Sequence, residues 1–251
     1  MLNANQFRTI RVQASAFTPD QQFRGAKALA YLLQSHADRF DDEPLSVPLS
    51  QGAQPLGVQF PIPGSALLLL RSKDQKYRLQ ANESRVDFIC EVPPTEEGLN
   101  VADFVAYATG LFRGYMDALS CRIGRLACVI TRVSPDPAPA KTLATHFCKP
   151  CWIEGPLNRP GDFELHAQKA YTLGGWITVN SWIRCKTALT AAEAGKESER
   201  FVLVEQDLNT LHEEALSRSF SPDEINRFFA ECPDEFTKIL GLYFPESGTN
   251  K

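Results

Sequence analysis

The stretch that most constrains the fold is residues 65–92, SALLLLRSKDQKYRLQANESRVDFICEV. Around Leu79 and again around Phe88, side chains alternate with the period of two that is typical of a strand with one buried face. Polar turn residues separate the runs, and residues 67–70 are continuously apolar, as in a strand covered on both faces. The pattern predicts a three-stranded antiparallel meander whose apolar face needs helices to cover it.

Helices are predicted to begin at Thr18, Asn100 and Ser221, because each residue type accepts hydrogen bonds from the free backbone N–H groups of a first helical turn. Apolar residues follow Asn100 at helical spacing as far as Ser120, which is the clearest helical pattern in the chain. The third helix carries a proline, Pro233, which is predicted to interrupt it.

The C-terminal part contains a second strand pattern. Residues 163–171 and 176–186 flank Gly174 and Gly175, a pair that favours a tight hairpin turn. A short edge strand is also expected at Val58 and Phe60. The predicted fold class is therefore α+β, with antiparallel sheet flanked by long amphipathic helices.

A proline-rich segment, residues 134–140, is the best linker candidate. It divides the chain into residues 1–134, an α+β portion with the central meander, and residues 140–251, a hairpin followed by the C-terminal helices. The two portions either form separate units or fuse into one continuous sheet, and the sequence leaves both arrangements open.

Composition excludes several classes of protein. No apolar run approaches the roughly 20 residues that span a bilayer, so no membrane association is predicted. The seven cysteines are an odd number without framework spacing, which favours a reducing, cytoplasmic location. A net charge of −4 makes general nucleic-acid binding an unfavourable interpretation. The phosphate-binding loops and hydrolase motifs of known enzymes are missing, and no cofactor is predicted.

One compact motif could carry chemistry: His146 precedes Cys148 and Cys151 in the run HFCKPC. Two cysteines at this spacing suit zinc or a disulfide, but zinc needs four ligands and the pair lacks a second C-x-x-C. His146, His166 or Cys185 would have to complete a site in space. The interpretation we prefer is that the cysteines are structural, with no metal bound.

Aromatic residues of the C-terminal portion are the best candidates for a protein interface. Strand alternation places Trp176, Trp182 and Arg184 on one face, and Trp and Arg are enriched where partners bind tightly. Phe228 and Phe229 of the C-terminal helices are the second candidate set. The competing interpretation is that the C-terminal helix simply covers both tryptophans.

Four further arginines lie close in sequence around one predicted helix-to-strand turn: Arg113, Arg122, Arg125 and Arg132. Such a cluster could bind an anion or an RNA backbone. A surface on which these side chains pair with neighbouring acids is the preferred alternative.

Two segments carry a family resemblance. The run KYRLQANESRVDFIC before a long helix, and the tail with VEQDLNT, EEALSRSF and FTKILGL, resemble a sporadically distributed family of uncharacterised bacterial proteins of about 250 residues. The resemblance implies a bacterial, cytosolic, non-enzymatic protein, because the family has no established catalytic residues and some members are encoded near mobile or defence genes.

The expected function is a non-enzymatic interaction or regulatory subunit that binds another protein, as an accessory of a bacterial defence or toxin-type locus. One alternative is a ligand-binding protein or enzyme whose site is dispersed along the sequence. Another is a zinc-dependent nucleic-acid factor that uses Cys148 and Cys151.

Overall fold

The structure is a computed structural model that describes residues 2–19, 24–48, 66–190 and 198–246. The strand predicted at Val58 and Phe60 lies outside the described residues. The strands are β1 (Arg8–Phe17), β2 (Leu45–Pro48), β3 (Ala66–Arg71), β4 (Tyr77–Ala81), β5 (Arg85–Glu91), β6 (Arg125–Pro135), β7 (Glu164–Leu173), β8 (Ile177–Leu189) and β9 (Arg200–Thr210). The helices are α1 (Gly25–His36), α2 (Val101–Leu119), α3 (Pro139–Phe147), α4 (Pro150–Glu154) and α5 (Pro222–Tyr243).

All nine strands form one antiparallel sheet in the order β2-β3-β4-β5-β1-β6-β9-β8-β7. The α+β class with antiparallel sheet is therefore confirmed. The sheet runs without a break past the proline-rich segment, because β6 extends to Pro135 and pairs with both β1 and β9. The boundary near residue 134 stays a prediction.

The strand order repeats on both sides of the central β1–β6 pair. In the first unit, β1 and α1 precede the meander β3-β4-β5 and then α2; in the second, β6 and α3 precede the meander β7-β8-β9 and then α5. Each meander returns so that its last strand pairs with the first strand of its own unit. The units are therefore related by a pseudo-twofold arrangement, and their equivalent helices α2 and α5 contact each other.

Local sequence explains both meanders. β3, β4 and β5 occupy the predicted positions, with Leu79, Val86 and Phe88 fully buried on one face. The β7–β8 hairpin has a three-residue loop, in which Gly174 and Gly175, with φ angles of 53° and 73°, are the left-handed central positions of a turn closed by the Trp176 N–H on the Leu173 carbonyl. Both predictions are confirmed. β2 lies within residues 40–57, whose Asp, Pro, Ser and Gly content predicts a loop, so that prediction is wrong for Leu45–Pro48.

The N-terminal caps of the helices differ from one another. The Asn100 side chain accepts hydrogen bonds from the backbone N–H groups of Ala102 and Asp103, and Ser221 forms a capping box with Glu224, so both predicted starts are confirmed. The cap predicted at Thr18 is wrong. The Thr18 hydroxyl donates to the carbonyl of Glu83, so it ties the end of β1 to the β4–β5 turn.

The predicted interruption at Pro233 is also wrong, because α5 runs through it. A proline inside a helix costs about 3 kcal/mol, since it removes one backbone hydrogen bond and crowds the preceding turn. Buried apolar side chains on both sides of Pro233 outweigh that cost: Phe228, Phe229, Cys232, Phe236, Ile239 and Leu240.

One hydrophobic core joins the helices to one face of the sheet. The ring of Phe88 on β5 stacks on Phe104 of α2 with 4.7 Å between centroids. Phe112 of α2 contacts Phe229 of α5 at 5.6 Å, which links the two units. Within the described ranges, the four helices that contact the sheet (α1, α2, α3 and α5) share this core.

Candidate functional site

The sheet face opposite the helices, which we call the open face, is the main candidate for a binding surface. Apolar residues on it, such as Leu69, Ile89 and Phe201, do not belong to the hydrophobic core that the helices form. No described helix lies against it. Strand alternation instead gives it rows of arginine, glutamine and acidic side chains.

Polar contacts tie the centre of the open face together. One carboxylate oxygen of Asp87 on β5 accepts hydrogen bonds from the Ser15 hydroxyl at 2.5 Å, from Arg85 Nε at 2.6 Å and from Gln13 Nε2 at 3.2 Å. The guanidinium groups of Arg85 and Arg125 also lie against the ring of Phe17. These contacts hold β1, β5 and β6 in register and fix the side chain of Arg85.

Four half-buried arginines lie toward one end of the open face in the first unit, with Arg11 and Arg71 near Arg78 and Arg8 further along β1. We call this group, Arg8, Arg11, Arg71 and Arg78, the arginine corner. Arg71 of β3 stands directly opposite Arg78 of β4 in the strand register, and Arg11 of β1 stands opposite Glu91 of β5. The Nε atoms of Arg8, Arg11 and Arg78 are buried, and none has a hydrogen-bond partner in the described structure.

The second unit presents a different open face, centred on Trp182 of β8. Arg184 donates to Glu205 of β9 at 2.5 Å, and its guanidinium carbon lies 5.3 Å from the centre of the Trp182 ring. Asp207 stands opposite Trp182 and accepts from Asn209 at 3.0 Å. Burial raises the pKa of Asp207. Charged groups here are therefore held by partners from the chain itself.

The two predicted interface tryptophans do not share a surface. Trp182 lies half-buried on the open face, beside Arg184. Trp176 lies at the β7–β8 turn, where its indole N–H donates to Glu231 of α5 at 3.1 Å and Arg227 stacks over its ring. The C-terminal helix thus covers Trp176 and leaves Trp182 uncovered, because the turn displaces Trp176 from the alternation of β8.

Phe228 and Phe229 lie in the interior of the folded chain. Both side chains are fully buried in the core between α5, α2 and the sheet. They cannot meet a partner without the removal of α5 from the sheet. The contact surface that we retain from the sequence prediction therefore consists of Trp182 and Arg184.

The cysteine motif is split between two helices. Cys148 caps the C-terminus of α3 in an extended conformation, and Cys151 lies in the five-residue α4. His146 bonds through Nε2 to the backbone carbonyl of Tyr243 at 2.8 Å, and its ring stacks on Phe244. Among the described residues, no group of three or more metal-ligating side chains comes together. The geometry gives His146 a packing role against the end of α5.

The arginine cluster predicted around residues 113–132 does not form. Arg132 points into the helix side, where it bonds to Gln206, and Arg125 bonds to Asn209 on the open face. Arg122 donates to the carbonyls of Leu216 and Arg218, and Arg113 is exposed on α2. Alternation along β6 sends neighbouring arginines to opposite faces.

Sequence reasoning missed the arginine corner, whose members lie in three separate strands. The signal that could have revealed Arg71 and Arg78 is their position on either side of the predicted β3–β4 turn. Arg8 and Arg11 are three residues apart, and regular alternation would place them on opposite faces. A register shift at Ile10 in the β1–β6 pairing brings both to the open face.

A half-buried histidine is the most enzyme-like arrangement on the helix side. His36 of α1 bonds through Nδ1 to Tyr107 at 2.6 Å and through Nε2 to Tyr31 at 3.0 Å. Burial lowers the pKa of His36. A Cβ atom at Gly114 of α2 would lie 2.1 Å from the Tyr31 hydroxyl oxygen, so glycine is required for this approach. The network therefore joins α1 to α2.

Comparisons with known proteins supply no family: no protein-family model and no curated protein matches the chain. The resemblance to the sporadic bacterial family stays a prediction. In the described part of the chain, none of the helices combines the length and apolarity that a membrane span requires.

Proposed function

We propose that this protein is a non-enzymatic interaction or regulatory subunit whose open face binds another protein. The observation that supports the proposal most directly is the half-buried Trp182 on a broad sheet face that no described helix covers. An aromatic ring with an arginine stacked on it is a common anchor in protein interfaces.

The neighbours of Trp182 define the kind of partner. The ring lies between Asp207 of β9 and Gln168 of β7, and the ion pair of Arg184 and Glu205 is beside it. The matching surface is a protein with an apolar side chain at its centre and charges of both signs at its rim. From the family resemblance, we further propose a cytoplasmic accessory subunit of a bacterial defence or toxin-type locus.

A second candidate function is a ligand-binding protein, and the arginine corner favours it. Arg8, Arg71 and Arg78 are half-buried but pair with no acid among the described residues. Such unpaired positive charge suits an anionic ligand. A catalytic role has less support, because the Ser15 hydroxyl and the Asp87 carboxylate that meet on the open face are both already engaged by Arg85.

Affinity purification of the tagged protein from its native host would test the interaction function. A stoichiometric partner identified by mass spectrometry would then be purified and titrated against wild type and Trp182→Ala. Truncating an interface anchor costs 2 kcal/mol or more, so we expect at least roughly thirtyfold weaker binding.

Trp176→Ala is the matched control, because it removes the same side chain from a site that α5 covers. We expect Trp176→Ala to retain the affinity of the wild type, with folding of both variants checked by circular dichroism. Equal affinities for wild type and Trp182→Ala, or the absence of any stoichiometric partner, would contradict the proposed contact surface.

A further inference from the structure

The arginine corner concentrates positive charge at one end of the open face. The register shift at Ile10 turns Arg8 to the same face as Arg11, and the β3–β4 register sets Arg71 directly against Arg78. Paired strands lie about 4.8 Å apart, so the backbones of Arg71 and Arg78 are close neighbours. Like charges that stand directly opposite each other in a sheet destabilise it.

The chain supplies little compensation for this charge. Arg11 donates to Gln13 at 2.7 Å and lies 3.8 Å from the half-exposed carboxylate of Glu91. The side chains of Arg8, Arg71 and Arg78 make no hydrogen bond or ion pair with any described residue. Burial lowers the pKa of Arg78, and the nearby Arg11 and Arg71 lower it further, while Glu91 and Asp87 oppose the shift.

Other half-buried arginines of the described chain are engaged. Arg85 pairs with Asp87, Arg184 with Glu205 and Arg218 with Glu214, and Arg39 lies between the rings of Tyr77 and Tyr107. The arginine corner is therefore an exception, because most half-buried guanidinium groups of the described chain have an ion-pair or aromatic partner. A group from outside the chain is the natural partner for the unpaired charge.

We propose that Arg71 and Arg78 of the arginine corner, with the nearby Arg11, form a binding site for a compact phosphate-class anion that carries at least two negative charges. Planar guanidinium forks match phosphate oxygens with paired hydrogen bonds. A phosphate monoester or a pyrophosphate group places several acceptors and two or more charges in one small volume. A single carboxylate would leave most of the positive charge uncompensated.

The charge around the corner selects a compact anion over a nucleic-acid backbone. Across the open face lie the carboxylates of Asp87, Glu205 and Asp207. A long polyanion that followed the face would meet these carboxylates after leaving the corner, and the whole chain carries a net charge of −4. The inference rests on the ligand-binding function proposed above and is independent of the protein contact at Trp182, which lies five strands from β4 in the sheet order.

The test is calorimetric titration of the full chain with pyrophosphate, inorganic phosphate and a phosphoserine peptide, at a constant ionic strength set with chloride. We expect either pyrophosphate to bind more tightly than inorganic phosphate, or the phosphoserine peptide to bind more tightly than the same peptide without its phosphate group. If pyrophosphate binds more tightly than the phosphoserine peptide, the ligand is a free small molecule. If the peptide binds more tightly, the ligand is a phosphorylated protein. Both results support the site.

Three variants locate the binding. Arg78→Gln and Arg71→Gln are each expected to weaken binding at least tenfold, whereas Arg113→Gln removes one exposed charge from the helix layer and is expected to bind as wild type does. Arg71→Gln also provides a check that does not depend on ligand, because its loss of like-charge repulsion should raise the melting temperature in buffer without phosphate or other multivalent anions.

Several results would overturn the inference. One is the absence of binding between the wild type and millimolar pyrophosphate or phosphopeptide. Another is an equal loss of affinity in Arg113→Gln and Arg78→Gln. Affinity for single-stranded oligonucleotides that rises with their length would show an extended polyanion site instead. Loss of the protein partner in Trp182→Ala leaves all of these results unchanged, so failure of the two proposals can be told apart.

Discussion

The two units share a strand order, but they treat charge on the open face in opposite ways. In the second unit, Arg184 pairs with Glu205, and Arg125 reaches Asn209, which in turn donates to Asp207. In the first unit, Arg71 faces Arg78, and neither has a partner among the described residues. The same architecture thus carries one surface whose charged groups have partners within the chain and one surface with an excess of positive charge.

This difference shows that the fold does not require the arginine corner. The second unit forms the equivalent meander with paired charges and the half-buried ring of Trp182 instead. Features that a fold does not need, and that cost free energy where they stand, are commonly retained for binding. The comparison therefore separates the residues that hold the sheet together from those that we expect to meet ligands.

The largest expected effects test whether the two units share one core. Phe104→Ala removes a ring stacked on Phe88 in the first unit, and Phe229→Ala removes the contact with Phe112 that joins the units. We expect each change to lower the free energy of unfolding by about 3–5 kcal/mol in chemical denaturation. Both variants should unfold in one transition.

Phe104→Leu is the control for side-chain volume, and we expect it to lower the free energy of unfolding by less than Phe104→Ala does. If Phe229→Ala produced two separate unfolding transitions, the units would be independent, and the shared-core description would be wrong.

Breaking the ion pair of the second unit should have a moderate effect. Glu205→Gln leaves Arg184 on the open face without its charged partner. Because both side chains are about a quarter exposed, at 29% and 27%, we expect a loss of about 1 kcal/mol in the free energy of unfolding. Glu164→Gln, which alters the exposed contact with His166, is the control and should change stability less. An increase in stability from Glu205→Gln would mean that the charged groups of the second unit do not stabilise one another.

In the first unit, we expect a substitution on the open face to raise the free energy of unfolding instead of lowering it. Arg71→Gln removes one of two directly opposed positive charges, so it should raise the free energy of unfolding by about 0.5 kcal/mol in buffer without phosphate or other multivalent anions. Thermal melts at low and high salt measure the change, because added salt screens the repulsion and should shrink the difference between wild type and variant. A loss of stability would show that Arg71 already has a partner in the chain.

The smallest effect concerns the pH dependence at Asp207. Burial raises the pKa of Asp207 above its ordinary value of 3.8, so the folded state favours the neutral acid. Its contribution to stability is fully present below pH 3.8 and is lost as the pH rises through the folded pKa. Asp207→Asn should therefore gain stability relative to wild type as the pH rises from 3.8. A difference that did not vary with pH would contradict this assignment.

Much of the fold could be predicted because its signals are local. Alternation around Phe88, the cap at Asn100 and the turn at Gly174 each depend on neighbouring residues, and the structure confirms all three. The path of α5 through Pro233 could not be predicted, because it depends on burial against distant elements. Trp176 was misplaced because a turn next to a strand does not keep the alternation of that strand.

The candidate site depends more on long-range register. Arg8 joins Arg11 only through the shift at Ile10, and the excess charge becomes visible only when β3, β4 and β1 are placed in one sheet. A sequence gives no direct signal for a register shift or for which distant strands become neighbours. Trp182 and Arg184 lie together because they are two residues apart on one strand, and their role in an interface stays a prediction.

The most direct test of the contrast between the units is an NMR titration with pyrophosphate that follows the arginine Nε–H signals. Single Arg→Lys variants would assign the signals of Arg78, Arg125 and Arg184. We expect pyrophosphate to shift the signals of the arginine corner, including Arg78, and to leave those of Arg125 and Arg184 in place. Equal shifts in both units, or no shift at Arg78, would contradict the account.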